Sequence, residues 1–247
     1  MAIYIATHKP AQMPVAPWLK PIGLGGFRDE QVSLHDGSGD NISSLNRDFC
    51  ELTATYWLWK HCCDDYIGLC HYRRLFAFSP IPLPGHQSQA VVRTPLSAPV
   101  LDFLGGPHQQ KRLEELLEHY EAIVPLPVLQ HPSIGQSYRE SHGDDVWNAF
   151  ARACRDEFGA VTGMLDVETR FHYGNMLVAR NDVFRDYAER LFRVLDQVYA
   201  EIGSLPEQEG VRYQPFRYPG YLGERFTNLY LAATRRRFAA VQAIWLE

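Results

Sequence analysis

What this chain lacks narrows its function before anything it contains. No apolar run approaches the roughly 20 residues that a membrane-spanning helix needs, and Met1-Ala2-Ile3-Tyr4-Ile5-Ala6 reaches polar Thr7-His8-Lys9 too soon for a signal peptide. The expectation is a cytoplasmic protein whose first strand is this segment. A basic excess is missing as well. The net charge of −5 and pI near 6.1 give no overall attraction to polyanions, which argues against general nucleic-acid binding and leaves any anion site to a local cluster. Neither Gly-x-Gly-x-x-Gly nor a Walker A sequence occurs, so nicotinamide oxidoreductases and P-loop ATPases are disfavoured. The five cysteines are odd in number, and the adjacent Cys62-Cys63 suits reduced thiols better than a disulfide framework. His61, Cys62, Cys63 and Cys70 lack the Cys-x-x-Cys spacing of zinc sites. No internal repeat is present.

With 247 residues, 46% of them hydrophobic, the chain can bury a full core as a single domain. Apolar runs near residues 2–7, 66–71, 121–125 and 172–179 read as strands, and the segments between them as helices. That alternation predicts an α/β fold, a mostly parallel sheet flanked by helices. Val183, Tyr187, Leu191, Leu195 and Val198 recur at helical spacing over about 182–202. A second helix is expected from Arg47 to His61 with Asn46 as its N-cap, a third from Pro107 to Tyr120, and a fourth from Pro219 to Ala233. The prolines at 10, 14, 17 and 21 and the glycines of 23–26 mark one irregular stretch. Phe78 to Gly106 reads as a long mobile loop.

His71-Tyr72-Arg73-Arg74 closes the buried run Tyr66-Ile67-Gly68-Leu69-Cys70. Ligands of open α/β sheets collect at the carboxyl ends of strands, and guanidinium forks match the oxygens of a diphosphate. Strand alternation would put His71 and Arg73 on one side and Tyr72 and Arg74 on the other. Thr7 and His8, ending the first strand, would face them across a switch point. Asp40, Asn41 and Asn46, polar residues before a helix, could hold ribose or phosphate, or could serve only as caps and turns. Tyr138, His142 and Asp145 fall at steps of four and three and would share one helix face. Asp166-Val167-Glu168 is the one acidic pair spaced like a metal motif, standing before the fourth strand. Arg235, Arg236 and Arg237 beside an apolar tail could touch an anionic membrane, or end a solvated helix.

Three blocks carry a family resemblance: Gly39-Asp40-Asn41-Ile42-Ser43 with Leu45-Asn46, the helix Cys50-Glu51-Leu52-Thr53-Ala54-Thr55-Tyr56-Trp57-Leu58-Trp59-Lys60, and Asp65 through His71-Tyr72-Arg73-Arg74. They closely resemble the bacterial capsular and exopolysaccharide biosynthesis family long catalogued as a domain of unknown function and regarded as glycosyltransferases. Asn175-Met176 and Gly220-Tyr221-Leu222-Gly223-Glu224-Arg225 resemble later blocks of the same family. The resemblance implies a GT-A-like, Rossmann-like fold and a nucleotide-sugar-dependent transferase. Some relatives are regarded as transferring galactofuranose from its UDP donor, and the expectation for this chain is a hexosyl group, galactosyl in furanose or pyranose form, moved to a surface-glycan acceptor that is lipid-linked.

On that pattern residues 1–125 form the nucleotide-sugar part and residues 126–247 the acceptor side. Thr7, His8, Asp40, Asn41, Asn46, His71, Arg73 and Arg74 are then the donor-binding candidates, although Arg74 is as easily structural. Tyr138, His142, Asn175 and Tyr221 are acceptor-side. Glu224 occupies the place of the GT-A acidic helix and is the first candidate for the catalytic base, with Asp145 the second. Where GT-A enzymes hold a metal with Asp-x-Asp, this chain has His71-x-Arg73, so no metal is required and fixed cations would stabilise the departing diphosphate. A divalent metal at Asp166 and Glu168 is the alternative. The rival functions are a hydrolase using Glu224 with Asp145 and a non-catalytic partner in polysaccharide assembly.

Overall fold

The computed structural model describes residues 1–81, 89–211 and 213–247. In chain order the strands are β1 (Ala2–Thr7), β2 (Leu19–Gly23), β3 (Leu34–His35), β4 (Tyr66–His71), β5 (Arg74–Ala77), β6 (Val91–Thr94), β7 (Ala122–Pro125), β8 (Val128–Leu129), β9 (Arg170–Phe171), β10 (Leu177–Arg180) and β11 (Phe238–Leu246). The helices are α1 (Asn46–Phe49), α2 (Leu52–His61), α3 (Ala98–Gly105), α4 (Pro107–His119), α5 (Ile134–His142), α6 (Asp144–Phe158), α7 (Asn181–Ile202) and α8 (Tyr218–Thr234).

Among the described residues nine strands form one sheet. β3, β2, β1 and β4 lie side by side and parallel, β10 and β7 follow, and β11 with β6 completes the far side. β8 and β9 pair separately. Every residue of β1 is buried, because helices cover both faces. Ala2, Tyr4 and Ala6 join the larger core under α2 and α5 to α8, whereas Ile3 and Ile5 join a second core under α3 and α4. Leu191 and Val183 of the α7 stripe are fully buried, as their spacing predicts.

The expected mostly parallel sheet is corrected to a mixed one. β10 runs antiparallel to both β4 and β7, and β5 antiparallel to β4 and β11. An apolar run does not encode strand direction. Here Gly174 (φ 88°) and Asn175 (φ 48°) turn the chain just before β10. The single helix expected over Arg47–His61 is two, broken at Cys50, whose φ of 53° is left-handed. Asn46 opens α1 but does not cap it. Its amide donates to the Cys50 carbonyl (2.7 Å) and Thr53 Oγ1 (3.0 Å), closing the break instead. Part of the expected Phe78–Gly106 loop, residues 82–88, lies outside the described residues. The rest holds β6 and α3, elements too short for their periodicity to show.

The apolar segment after Arg237 is β11, paired with β5, β6 and β7 inside the sheet rather than a tail free for a membrane. Arg236 turns back to Glu121 (3.1 Å), leaving Arg235 and Arg237 exposed. No described helix is long and apolar enough to cross a bilayer.

Gly68 lets β4 sit tightly between its neighbours, since a Cβ there would lie 3.0 Å from both Ile3 and Val178. Gly68→Val is expected to overpack this point and cost about 1–3 kcal/mol, read as a lower urea midpoint at unchanged m-value. An unchanged midpoint would show that the sheet yields there.

Candidate active site

The carboxyl ends of β1 and β4 open into a cleft of ≈ 940 Å³ whose walls also come from α1, α5, α8 and β11. β4 and β5 form a tight hairpin with Tyr72 and Arg73 at its turn and His71 paired with Arg74. The Tyr72 amide donates to the Ala6 carbonyl (3.1 Å), tying the turn to the end of β1. A turn, unlike a continuing strand, does not alternate. His71, Tyr72, Arg73 and Arg74 therefore all line the cleft, which corrects the two-sided expectation.

The charge balance is lopsided. Arg47, Arg73, Arg74, Arg93, Arg217 and Arg225 line the cleft against two carboxylates, Glu51 and Glu224. Arg225 is ion-paired with Glu224 (2.9 Å) and Arg93 with Glu247 (3.0 Å). Among the described residues the other four have no carboxylate within 4.0 Å. Arg73 instead lies over the Tyr72 ring (5.2 Å), Arg47 over Phe216 (4.1 Å) and Arg74 over Trp245 (4.7 Å), and Arg217 donates to Cys50 Sγ (3.1 Å). Stacking fixes a guanidinium without neutralising it.

The two carboxylates sit in different surroundings. Glu51 stands at the helix break after Cys50, accepts from Asn175 Nδ2 (2.6 Å) and lies 3.7 Å from His71 Nε2. Burial raises Glu51, but His71, the Asn175 amide and Arg74 outweigh it and hold its carboxyl below the ordinary range. Burial also drives His71 down, with Glu51 opposing only in part. The imidazole is thus kept neutral, and the formal positive charge steadying Glu51 is that of Arg74. Glu224 accepts from the Gly174 amide (2.9 Å). Burial raises its carboxyl, Arg225 pulls it back, and the charge of Glu51 adds to the rise. Two carboxylates whose environments push their proton affinities apart are a candidate acid–base pair.

Glycines make this packing possible. A Cβ on Gly223 would meet Asn175 Oδ1 at 2.7 Å and Leu52 at 2.9 Å, and one on Gly220 would meet Cys50 Sγ at 3.2 Å. Asn175 is buried behind the cleft wall and spans from Glu51 to the Gly220 carbonyl (2.9 Å). It is a positioning residue, not an acceptor contact. His142 and Tyr221 do face the cleft, their rings stacked at 4.6 Å, while Tyr138 is buried beneath them.

Other expectations fail. α5 ends at His142 and Gly143 (φ 85°) breaks the helix, so Asp145 falls in the first turn of α6, exposed and outside the cleft, and shares no face with Tyr138. It is not placed to be a base, nor to pair with Glu224 in a hydrolase. His8 lines the cleft, but Thr7 is buried and donates to the Lys9 carbonyl (2.6 Å). Asp40 accepts from Tyr56 (3.0 Å) and pairs with Lys60 (3.6 Å), and Asn41 closes a turn with Gly39 and Ser43. Both lie outside the cleft, and these side-chain and turn contacts account for them. Asn46 lines the cleft with its amide already occupied. Asp166 and Glu168 are held by Arg139 (3.1 Å) and Arg170 (3.1 Å) away from it. Glu51, Arg217, Arg47 and Trp245 were not foreseen. Only Glu51 had a local signal, a carboxylate in one of the motif blocks.

These features define an α/β protein with a cationic cleft at strand ends and two half-buried carboxylates within it. The chain belongs to the family described as a domain of unknown function, DUF4422, which matches residues 2–235. Among solved structures, the apo structure of the bifunctional glycosyltransferase WbbM is similar over 100% of this chain, with a TM-score of 0.82 and 25% sequence identity. The chain spans 45% of that protein's length. No curated protein matches the sequence.

Burial, then Arg225, holds the His142 imidazole down at about 4, against roughly 6.5 in an unfolded chain. Its contribution to stability is therefore complete above about pH 6.5 and is lost as pH falls toward 4. His142→Phe is expected to flatten the dependence of the urea midpoint on pH across that window. Parallel curves for the two proteins would refute it.

Proposed function

We propose that this chain is a glycosyltransferase of GT-A-like architecture. It moves a hexosyl group, galactosyl in furanose or pyranose form, from a UDP-linked donor to a surface-glycan acceptor. The observation that carries this reading is a half-buried carboxylate of raised pKa, Glu224, facing a cleft whose arginines are largely without carboxylate partners. The similarity to a bifunctional glycosyltransferase over the whole chain supports it.

In this reading the donor diphosphate lies by the β1 and β4 ends. Arg73, Arg217 and His8 surround it there, and the neutral His71 offers a hydrogen bond. As the bond from the sugar to the diphosphate breaks, negative charge grows on the leaving oxygen, and fixed guanidinium groups offset it without reorganising. Glu224, whose surroundings raise its proton affinity above that of an ordinary carboxylate, takes the proton of the acceptor hydroxyl. Glu51, held by Asn175, keeps Glu224 basic and orders the floor of the site. The reaction needs no metal, and it takes place in the cytoplasm, at the inner membrane face when the acceptor is lipid-linked.

Calorimetric titration with UDP, GDP and their sugars, each with EDTA and with manganese, tests the donor site. Binding of one nucleotide unaffected by EDTA is the expected result; binding only with manganese would refute the arginine-based site, and none at all the transferase itself. Nucleotide-sugar binding without transfer to any acceptor would favour a non-catalytic assembly partner. Glu224→Gln is expected to lower kcat by about 10²–10⁴ while donor binding persists. Removing the like charge with Glu51→Gln should lower the pKa of Glu224 and move the acidic limb of the kcat/KM profile to lower pH. A limb that stays put would separate the two carboxylates.

A further inference from the structure

The β4–β5 hairpin gives its two arginines different neighbours on the cleft wall. Arg73 sits at the turn that is tied to β1, beside His8. Arg74 opens β5, directly opposite Trp245 of β11. Arg74 and Arg93 both lie over the Trp245 ring, at 4.7 and 4.5 Å, and Tyr173 meets the same ring edge-on at 5.6 Å. Arg93 shares its charge with the exposed Glu247 (3.0 Å), but Arg74 has no carboxylate within 4.0 Å among the described residues. One diphosphate at the Arg73 turn leaves Arg74 and Arg93 on the Trp245 wall, where Arg74 biases Glu51 and Glu224 without forming an ion pair with either. The cleft of ≈ 940 Å³ is at the large end for a single small ligand.

We propose that the end of the cleft walled by Arg74, Arg93, Trp245 and Tyr173 binds an anionic group carried by the acceptor glycan, a carboxylate or a phosphate. The aromatic rings take a sugar face, and Arg74, positioned by Trp245 rather than by a carboxylate, keeps its donors for the anion. The acceptor hydroxyl then lies toward Glu224. This assignment rests on the transferase reading above and adds to it the charge class of the acceptor.

The test uses the full chain and three acceptor disaccharides that differ in one group: a neutral hexose, its uronic acid and its 6-phosphate. The KM of at least one acidic acceptor is expected to lie about tenfold or more below that of the neutral one, the scale of a charge-assisted contact. Arg74→Met should erase that difference while the donor KM stays within about twofold, and the exposed Arg93→Gln should reduce it. The acidic acceptor that shows the preference identifies the group. Equal KM for all three, or an Arg74→Met effect on donor KM or on the pH profile alone, would overturn the proposal. Quenching of tryptophan fluorescence by the acidic disaccharides without donor, lost in Arg74→Met, gives a second readout. Such binding in a protein that binds no nucleotide sugar would overturn the transferase reading and leave the anion site standing. Donor binding without acidic preference would overturn the anion site alone.

Discussion

The cleft depends on how β4 is held. Its middle is buried, it pairs with β1 on one edge and β10 on the other, and its turn is tied to the end of β1 through the Tyr72 amide. A strand fixed on both edges cannot slide or twist without breaking two ladders. The residues that follow it are therefore placed to within the tolerance of the sheet, and the hairpin converts four consecutive polar side chains into the rim of a cavity. Gly68 is the packing condition for that arrangement, because it sits between Ile3 and Val178 where a side chain would collide.

Electrostatics then does the differentiating. Burying two carboxylates among arginines is costly unless each has donors, and here the donors differ. Glu51 has the Asn175 amide, whereas Glu224 has Arg225 and the Gly174 amide. The balance of burial against these partners separates their proton affinities, lowering that of Glu51 and raising that of Glu224. The left-handed backbone at Cys50 and Asn175 is what brings these side chains into register, so local strain is placed where the chemistry is.

Much of the fold was legible in the apolar patterning. β1, β4, β7, α4, α7 and α8 fall where their spacing puts them, because burial on two faces of a strand or one stripe of a helix leaves a periodic trace. Glu224 and the His71–Arg74 block were legible as candidates for one crevice, and all of them line the cleft, since basic residues ending a buried strand have few structural uses. Strand direction was not, because Leu177–Arg180 would read the same in either orientation. Asp145 misled because helical spacing was projected across Gly143, and Asp40 and Asn41 because capping residues look like phosphate ligands in one dimension.

The sequence by itself determined which segments would be buried and that a cluster of cations would end the second long strand, since hydrophobicity and side-chain chemistry are local properties. Tertiary structure alone decided that Arg73 and Arg74 lie over different rings on the wall of one cleft, that Glu51 meets Asn175 across 124 positions, and that Arg217 and Trp245 join the walls. Those juxtapositions come from loop closure and packing between distant segments, and proximity of that kind leaves no mark on the residues that share it.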